Sequence, residues 1–429
     1  RAANVGRKAP HPGQDMTRSP PVTDASTSTR HDQLLDVAAR QLNARGMSQR
    51  TLADLAGSLG FTRNALYHYV KDFEDLLSQV YRRSCILLGE RLDEAMSQRD
   101  PSDILRAFVS TALDGKRAEI AALNEYGLLR PDARAEVTTL YRGIEGRLAA
   151  VIADGVDART FRPCDPALVA RTILRIVYWV PLGTRRGLSM GPDERADAAD
   201  LLNTLLNTGW AADRHAAIDP PTIDLSPLVV STTDGFDQAA LYEMKRESIL
   251  SCASRMFNAR GVDTTSLDEL ARVLGTTKPR LYIYVGDKAT LVEECFARAD
   301  RINRFLRQAA RELPCTPMER VVALLRTSTT IRLGGILEPM RYAFTDDVRE
   351  RIAPDLVRRR MKQMVESTSQ LFAEGQAEHI IRPFDVERLR FLNLTAVGGI
   401  ARPDPDDAAE IASDAAGMVE VMRIGLAAL

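Results

Sequence analysis

A stretch that occurs twice limits what this chain can fold into more than anything else in it. Residues 51–77 read TLADLAGSLGFTRNALYHYVKDFEDLL and residues 266–292 read SLDELARVLGTTKPRLYIYVGDKATLV, and the two align without a gap. Leu52, Leu55, Ala56, Leu59, Gly60, Thr62, Leu66, Tyr67, Tyr69, Val70 and Asp72 recur as Leu267, Leu270, Ala271, Leu274, Gly275, Thr277, Leu281, Tyr282, Tyr284, Val285 and Asp287. The first four of each set fall at i, i+3, i+4 and i+7, one apolar face of an amphipathic helix. Thr51 and Asp54 have the spacing of a capping box at its start, the glycine tolerates the positive φ that ends it, and Thr62 can cap the next helix. Two short helices joined by such a turn form a helix-turn-helix, whose second helix enters the major groove of DNA.

The repeat continues on both sides. Upstream, Asn43-Ala44-Arg45-Gly46 returns as Asn258-Ala259-Arg260-Gly261, and Leu34, Leu35, Ala38 and Leu42 correspond to Ile249, Leu250, Ala253 and Phe257. Each copy is therefore a three-helix head. Downstream, Arg162-Pro163-Cys164-Asp165-Pro166 reads as a break and a new helix, with Asp165 as N-cap and Pro166 in the first turn. Arg382-Pro383-Phe384-Asp385 repeats it, with Gly155 and Gly375 ahead at matching distances. Helical spacing predicts further helices over 76–98, from 101, over 117–128 and 132–154, from 196 to 210 and from 408 to 426. No run alternates as a strand does, so the fold class is all-α.

The helix, the xARG turn, LaxLAxxLG and T-x-x-x-LYxY followed by a new helix resemble the DNA-binding head of the TetR/AcrR family of bacterial transcriptional regulators, once per half. From about Arg30 the chain is similar to two such regulators in tandem, each a helix-turn-helix head with a helical ligand-binding and dimerisation body. The resemblance implies double-stranded DNA as partner and recognition helices at Thr62–Tyr69 and Thr277–Tyr284. Its DNA-facing residues would be Thr62, Arg63, Asn64, Tyr67, His68 and Tyr69 in the first head, and Thr277, Lys278, Arg280, Tyr282 and Tyr284 in the second. Lys288 takes the place of the family's phosphate-contacting lysine, where the first half has Phe73. Tyr69 and Tyr284 replace a histidine usual near the end of the recognition helix. The family also places an effector pocket in the body and a dimer interface on the two helices after the break. Tyr126, Arg175, Tyr178 and Trp179, with Tyr141 and Arg171, would line the first pocket, and Arg341 and Tyr342, with Arg332, Met340 and Phe372, the second. Arginine among aromatics suits an acidic apolar effector such as a fatty acyl group.

On this reading the chain divides into a disordered tail (1–30), a first head (31–77), a first body (78–210), a linker (211–240), a second head (241–292) and a second body (293–429). The tail is rich in Pro, Ser, Thr and Gly and cannot bury enough apolar surface to order itself. The linker carries Pro220, Pro221, Pro227 and Gly235 with little periodicity. The most apolar run, Ile173 to Leu182, is interrupted by Arg175 and Pro181, so no membrane span is expected. Five scattered cysteines without a CxxC pair, and no apolar leader, point to a reducing, cytoplasmic setting with no disulfide framework or zinc site. Gly187-Leu188-Ser189-Met190-Gly191 fits GxSxG, but it follows a helix where a nucleophile elbow needs a strand. No catalytic residue, metal or cofactor is expected. The function that follows is a ligand-responsive repressor acting as a single-chain pseudo-dimer on an asymmetric operator, or a homodimer with four heads. The alternative, favoured by Phe73 and a net charge of −1, is a helical protein-binding adaptor that has lost DNA binding.

Overall fold

The computed structural model describes residues 25–46, 51–60, 62–186, 188–230, 236–262, 264–333, 337–340, 354–392, 394 and 408–429. The expected tail lies outside them up to residue 24, but residues 25–30 already form the first turns of α1 (Ala25–Arg45). The first head continues with α2 (Thr51–Ser58) and α3 (Arg63–Leu66), and α4 (Phe73–Ala95) runs from it into the body. The first body adds α5 (Pro101–Leu113), α6 (Pro131–Asp157), α7 (Pro166–Trp179) and α8 (Pro192–Thr208). The second unit repeats the head as α9 (Gln238–Arg260), α10 (Leu267–Val273) and α11 (Lys278–Val285), followed by α12 (Lys288–Glu312). Its body is built of α13 (Pro317–Leu333), α14 (Pro354–Ala377), a 3-10 turn at Val386–Arg390 and α15 (Ala408–Ile424). The described residues contain no strand, only two isolated bridges. The fold is all-α, with two helix-turn-helix units in one chain.

Local chemistry accounts for the helix starts. Asp72 and Asp287 each accept a hydrogen bond from an amide three residues on, Asp75 N and Thr290 N, at 2.8 Å. Asp165 accepts from Ala167 N and Leu168 N at 2.9 and 3.2 Å, ahead of Pro166. Prolines that lack an N–H open α5, α6, α7 and α8, where that donor would have no intrahelical partner. Asp385 caps in the same way, accepting from Glu387 N at 3.0 Å, but only the 3-10 turn follows in place of the expected second-half helix.

Residues 114–125, expected to begin a helix over 117–128, are irregular and end in a single 3-10 turn at Tyr126–Leu128. Their amides bond side chains of neighbouring helices. Glu119 N donates to Asp36 at 2.6 Å, Ala121 N to Ser84 at 2.9 Å, Ala122 N to Asn43 at 2.9 Å and Glu125 N to the Tyr81 hydroxyl at 2.9 Å. Arg91 donates to the carbonyls of Ala112, at 2.9 Å, and of Ala118. With its backbone groups satisfied by tertiary partners, the segment has no need of helical bonds.

The two units cross through reciprocal contacts. Phe161 bridges antiparallel to Ala427, and Ile381 to Ala211. Arg162 N donates to Leu426 O and Arg382 N to Trp210 O, both at 2.8 Å. Ala428 N donates to Thr160 O at 3.0 Å and Ala212 N to Ile380 O at 2.9 Å. The guanidinium Nε of Arg162 bonds Gly425 O at 2.7 Å, and that of Arg382 bonds Ala211 O at 2.8 Å. Each backbone bond has a counterpart with the units exchanged, the pattern of an isologous interface, while the two guanidinium groups choose carbonyls two register positions apart. Gly209 and Gly425 meet at this crossing with φ of +66° and +69°, and a Cβ on Gly209 would overlap the Arg423 carbonyl. Alongside, α15 packs on α7 and α8, with Gly417 so close under Leu168 that a Cβ there would have to push the Leu168 methyl aside.

One apolar core runs through the first head, the first body and the second body, whereas the second head has its own core, closed by Met340. Pro166–Thr184 is by length and composition apolar enough to cross a membrane, contrary to expectation, but 78% of it is buried in the fold. Its hydrophobicity is that of a central core helix.

Candidate nucleic-acid interface

Each head is held by the face its repeated residues predict. Leu34, Ala38, Leu42, Leu55 and Leu66 are buried, as are their counterparts Ile249, Ala253, Phe257, Leu270 and Leu281. Gly60 and Gly275 turn the chain at φ of +65° and +63°. Thr62 caps α3, its hydroxyl accepting from Ala65 N at 3.2 Å, while Thr277 makes no such bond. Ser266 caps α10 by accepting from Glu269 N at 3.1 Å. The same pair of positions ties first helix to fourth in both heads. His31 Nε2 lies 2.7 Å from Gln79 Oε1, and Arg246 pairs with Glu294 at 2.7 Å.

The two recognition elements differ in length. α11 keeps helical form through Val285, but α3 ends at Leu66, and Thr62–Tyr69 is completed by a tighter turn in which Tyr69 N bonds Leu66 O at 2.9 Å. Asn64, Tyr67 and His68 are exposed in the first head, as are Arg280 and Tyr282 in the second. Arg63 opens α3, and its side chain lies outside the described ones. Lys278 is tied to Asp268 at 2.8 Å, and that bond raises its pKa.

Tyr69 and Tyr284, expected on the DNA side, fold back on their own heads. Tyr69 stacks on His31 with ring centroids 5.8 Å apart, and Tyr284 packs on Tyr242 at 4.9 Å. Residues 69 and 284 directly precede the buried Val70 and Val285, so helical geometry swings them towards the first helix of the head. Lys288 opens α12 directly after its cap Asp287, whereas Phe73 at the matching place is half-buried against the core. The exposed Lys71, two residues earlier, faces its counterpart Gly286 in the alignment. The cation near the start of the fourth helix thus stands two residues earlier in the first head.

The sequence model described as "Bacterial regulatory proteins, tetR family" matches residues 34–80 and again 249–295, and "Tetracyclin repressor-like, C-terminal domain" matches residues 100–217. The chain belongs to the TetR family. The AcrR transcriptional regulator of Shigella flexneri is 34% identical over 88 residues, 20% of this chain and 41% of that protein, so the match spans under half of AcrR. The KstR2 repressor of Rhodococcus jostii is 28% identical over 175 residues, 38% of this chain and 82% of KstR2. Among solved structures, AibR in complex with isovaleryl coenzyme A and operator DNA is 22% identical, with a TM-score of 0.34, covering 39% of this chain and 94% of that one. The matching relatives are named as transcriptional regulators.

The head of this TetR-family chain is bolted to its body at Glu119. This buried carboxylate accepts from Asn43 Nδ2 at 2.6 Å and from Arg195 at 2.7 Å, and Arg40 lies 3.5 Å away. Asn43 belongs to the xARG motif, and its counterpart Asn258 likewise reaches the body, donating to Pro339 O at 3.0 Å. Arg130, at the start of α6, grips Asp72 at 2.6 Å and Glu74 at 2.7 Å. The Asp75 amide and Arg130 together hold the Asp72 carboxyl below its usual range.

The expected effector residues are not all brought together. Tyr178, Trp179 and Arg175 are buried on α7, with Tyr141 and Tyr178 rings 5.8 Å apart and Arg175 Nη1 2.9 Å from Met418 Sδ of the second unit. Burial lowers the Arg175 pKa. Arg171 pairs with Asp414 of the second unit at 3.4 Å. Tyr126 sits instead in the 3-10 turn that packs on α9 of the second head, bonded to Thr138 and to the Arg134 carbonyl of α6. Arg341 and Tyr342 lie outside the described residues. A groove of about 330 Å³ between α5 and α8, lined by Ser102, Ser110, Asn203, Thr204 and Asn207, contains none of the expected residues. Among the described residues no His, Cys, Asp or Glu group could hold a metal ion. Residue 187 of the GxSxG motif is outside them, and Leu188–Gly191 form an interhelical connection.

Proposed function

We propose that one chain presents both heads to a single duplex, as two subunits of an ordinary dimer would, and represses transcription until an effector enters the bodies. The observation that carries this reading is the reciprocal crossing of 158–162 with 427 and of 378–382 with 211, which uses up within one chain the surface two subunits would share. Tyr67 and Tyr282 are shared, but Asn64, Ala65 and His68 stand where the second head has Pro279, Arg280 and Ile283, so the operator has two unlike half-sites about one helical turn, ~34–36 Å, apart. Buried Arg175 among Tyr141 and Tyr178, with half-buried Arg171 one turn earlier, favours an acidic apolar effector, which acts by shifting the population of head spacings.

Light scattering on complexes with a duplex selected from a random pool tests the stoichiometry. One chain per duplex is the expected result, and two chains would replace the pseudo-dimer by a four-headed dimer. The adaptor reading draws on Lys278, which pairs with Asp268 of its own head, and on Phe73, which stands where the second head has Lys288. It requires that no duplex be enriched and that binding show no steep fall with salt.

A further inference from the structure

We propose that the outermost ridge of α11, Pro279 and Ile283, selects thymine methyl groups in its half-site, while the matching ridge of the first head, Asn64 and His68, reads hydrogen-bonding base edges. The inference rests on the DNA-binding reading above and adds the base chemistry to it. Leu281 and Val285 are buried and fix the core side of α11. At 100° per residue, position 283 lies diametrically opposite their mean direction, and position 279 lies one turn before it on the same outer face. Pro279 is exposed, and Ile283 is 69% exposed, an unusual place for a large aliphatic side chain on a well-formed helix. Neither side chain can donate or accept a hydrogen bond. Pressed against a guanine O6 or a cytosine amino group, they would strip water from it and return nothing. The thymine C5-methyl is the one apolar group on the major-groove edges, and aliphatic contact with it is a recognised mode of direct readout.

The repeat places Asn64 where α11 has Pro279, and His68 where it has Ile283, and both are exposed. An asparagine at such a position can bond adenine N6 and N7 together, and a histidine can donate to a purine N7. One scaffold thus carries a polar reader and an apolar reader, and the operator differs in kind between its halves.

The test uses the full chain. A duplex is selected by the wild type from a random pool, and each thymine of the second half-site is then replaced in turn by deoxyuridine, which removes only the methyl group. The expected result is that one or two replacements weaken wild-type binding by about 4-fold each, the value of one buried methyl. At the thymine under Ile283 the replacement leaves Ile283→Ala unaffected, and Ile283→His enriches a purine in place of thymine at that position. Ile283 is exposed, so both variants should keep the wild-type melting temperature. If the duplex is enriched but no thymine methyl matters, or if Ile283→Ala remains equally methyl-sensitive, the inference is overturned while the DNA-binding reading stands. If no duplex is enriched at all, both are refuted.

Discussion

Replacing Glu119 by alanine should loosen the first head from its body more than any other single side-chain truncation at that junction. The carboxylate is 2% exposed and its partner Arg195 11%. Truncation leaves the Arg195 guanidinium without its carboxylate and removes one of the two acceptors of the buried Asn43 amide, whose other bond goes to Ile120 O at 2.8 Å. Removing one partner of a buried charge pair costs about 3–5 kcal/mol, because the group left behind has already lost its water. The first head shares one core with both bodies, so the cooperative unit is well over 250 residues, each kcal/mol lowers Tm by about 1–2 °C, and the expected drop is at least ~3 °C. Both tryptophans of the chain, Trp179 and Trp210, lie in the shared core, Trp210 against Phe372, so their fluorescence during urea or heat unfolding reports on that core. Hydrogen exchange should rise across α1 and residues 119–125, whose amides close onto Asn43, Asp36, Ser84 and Tyr81. Glu119→Gln, which keeps an acceptor oxygen but not the charge, should fall between. As a control, Asp103→Ala breaks a pair with Arg106 whose side chains are 48% and 62% exposed, and it should cost well under about 1 kcal/mol. A Glu119→Ala loss no larger than this control would refute the reasoning, since Arg195 and Asn43 would then have found other partners at no cost.

Further outcomes follow from single contacts. Gly60→Ala and Gly275→Ala meet nothing within 4 Å and so isolate backbone strain at positive φ, about 1 kcal/mol each by differential scanning calorimetry. Gly417→Leu must displace Leu168 at the unit crossing, and the overpacking should cost about 1–3 kcal/mol and expand the particle in small-angle scattering. Burial pushes the Cys85 and Cys295 thiols up to about 12, so at pH 8 they stay protonated and unreactive. A thiol reagent should therefore modify the partly exposed Cys164 and Cys315 in the native protein, and all five cysteines in urea. Asp72 has a folded pKa below its unfolded one, so its contribution is fully present above about pH 4 and is lost as pH falls through the depressed value. The Tm difference between wild type and Asp72→Asn should shrink accordingly on titration from pH 5 to pH 2. The second head, with a core of its own, should show lower exchange protection than the first.

Most of the heads was legible in the chain because their determinants are local. The spacing of Leu52, Leu55 and Ala56, the glycine at 60, the caps at Thr62 and Asp72 and their recurrence at +215 all act within a few residues. Where prediction and structure part, a distant group is responsible. The 117–128 segment has helical composition, yet Asn43, Asp36, Ser84 and Tyr81 take its amides, and no local rule contains those partners. Tyr69 and Tyr284 carried a DNA-facing expectation, but the rings of His31 and Tyr242 offer an apolar seat closer than solvent. The run 166–184 met a compositional test for a membrane span because a helix covered by α6 on one side and α15 on the other needs no polar face.

Sequence alone determined that this chain is built of two like helical units, that each carries a helix-turn-helix, and that their recognition residues differ. Periodicity, caps and turn glycines are short-range, and repetition made them unmistakable. Only the tertiary structure decided how the units meet: tails exchanged at Phe161–Ala427 and Ala211–Ile381, two glycines face to face at 209 and 425, and a first head fused into the common core while the second keeps a separate one. Those arrangements depend on backbone groups that pair across some 170 to 270 residues, and backbone polar groups are the same whatever the side chain, so composition and spacing carry no trace of which will find which.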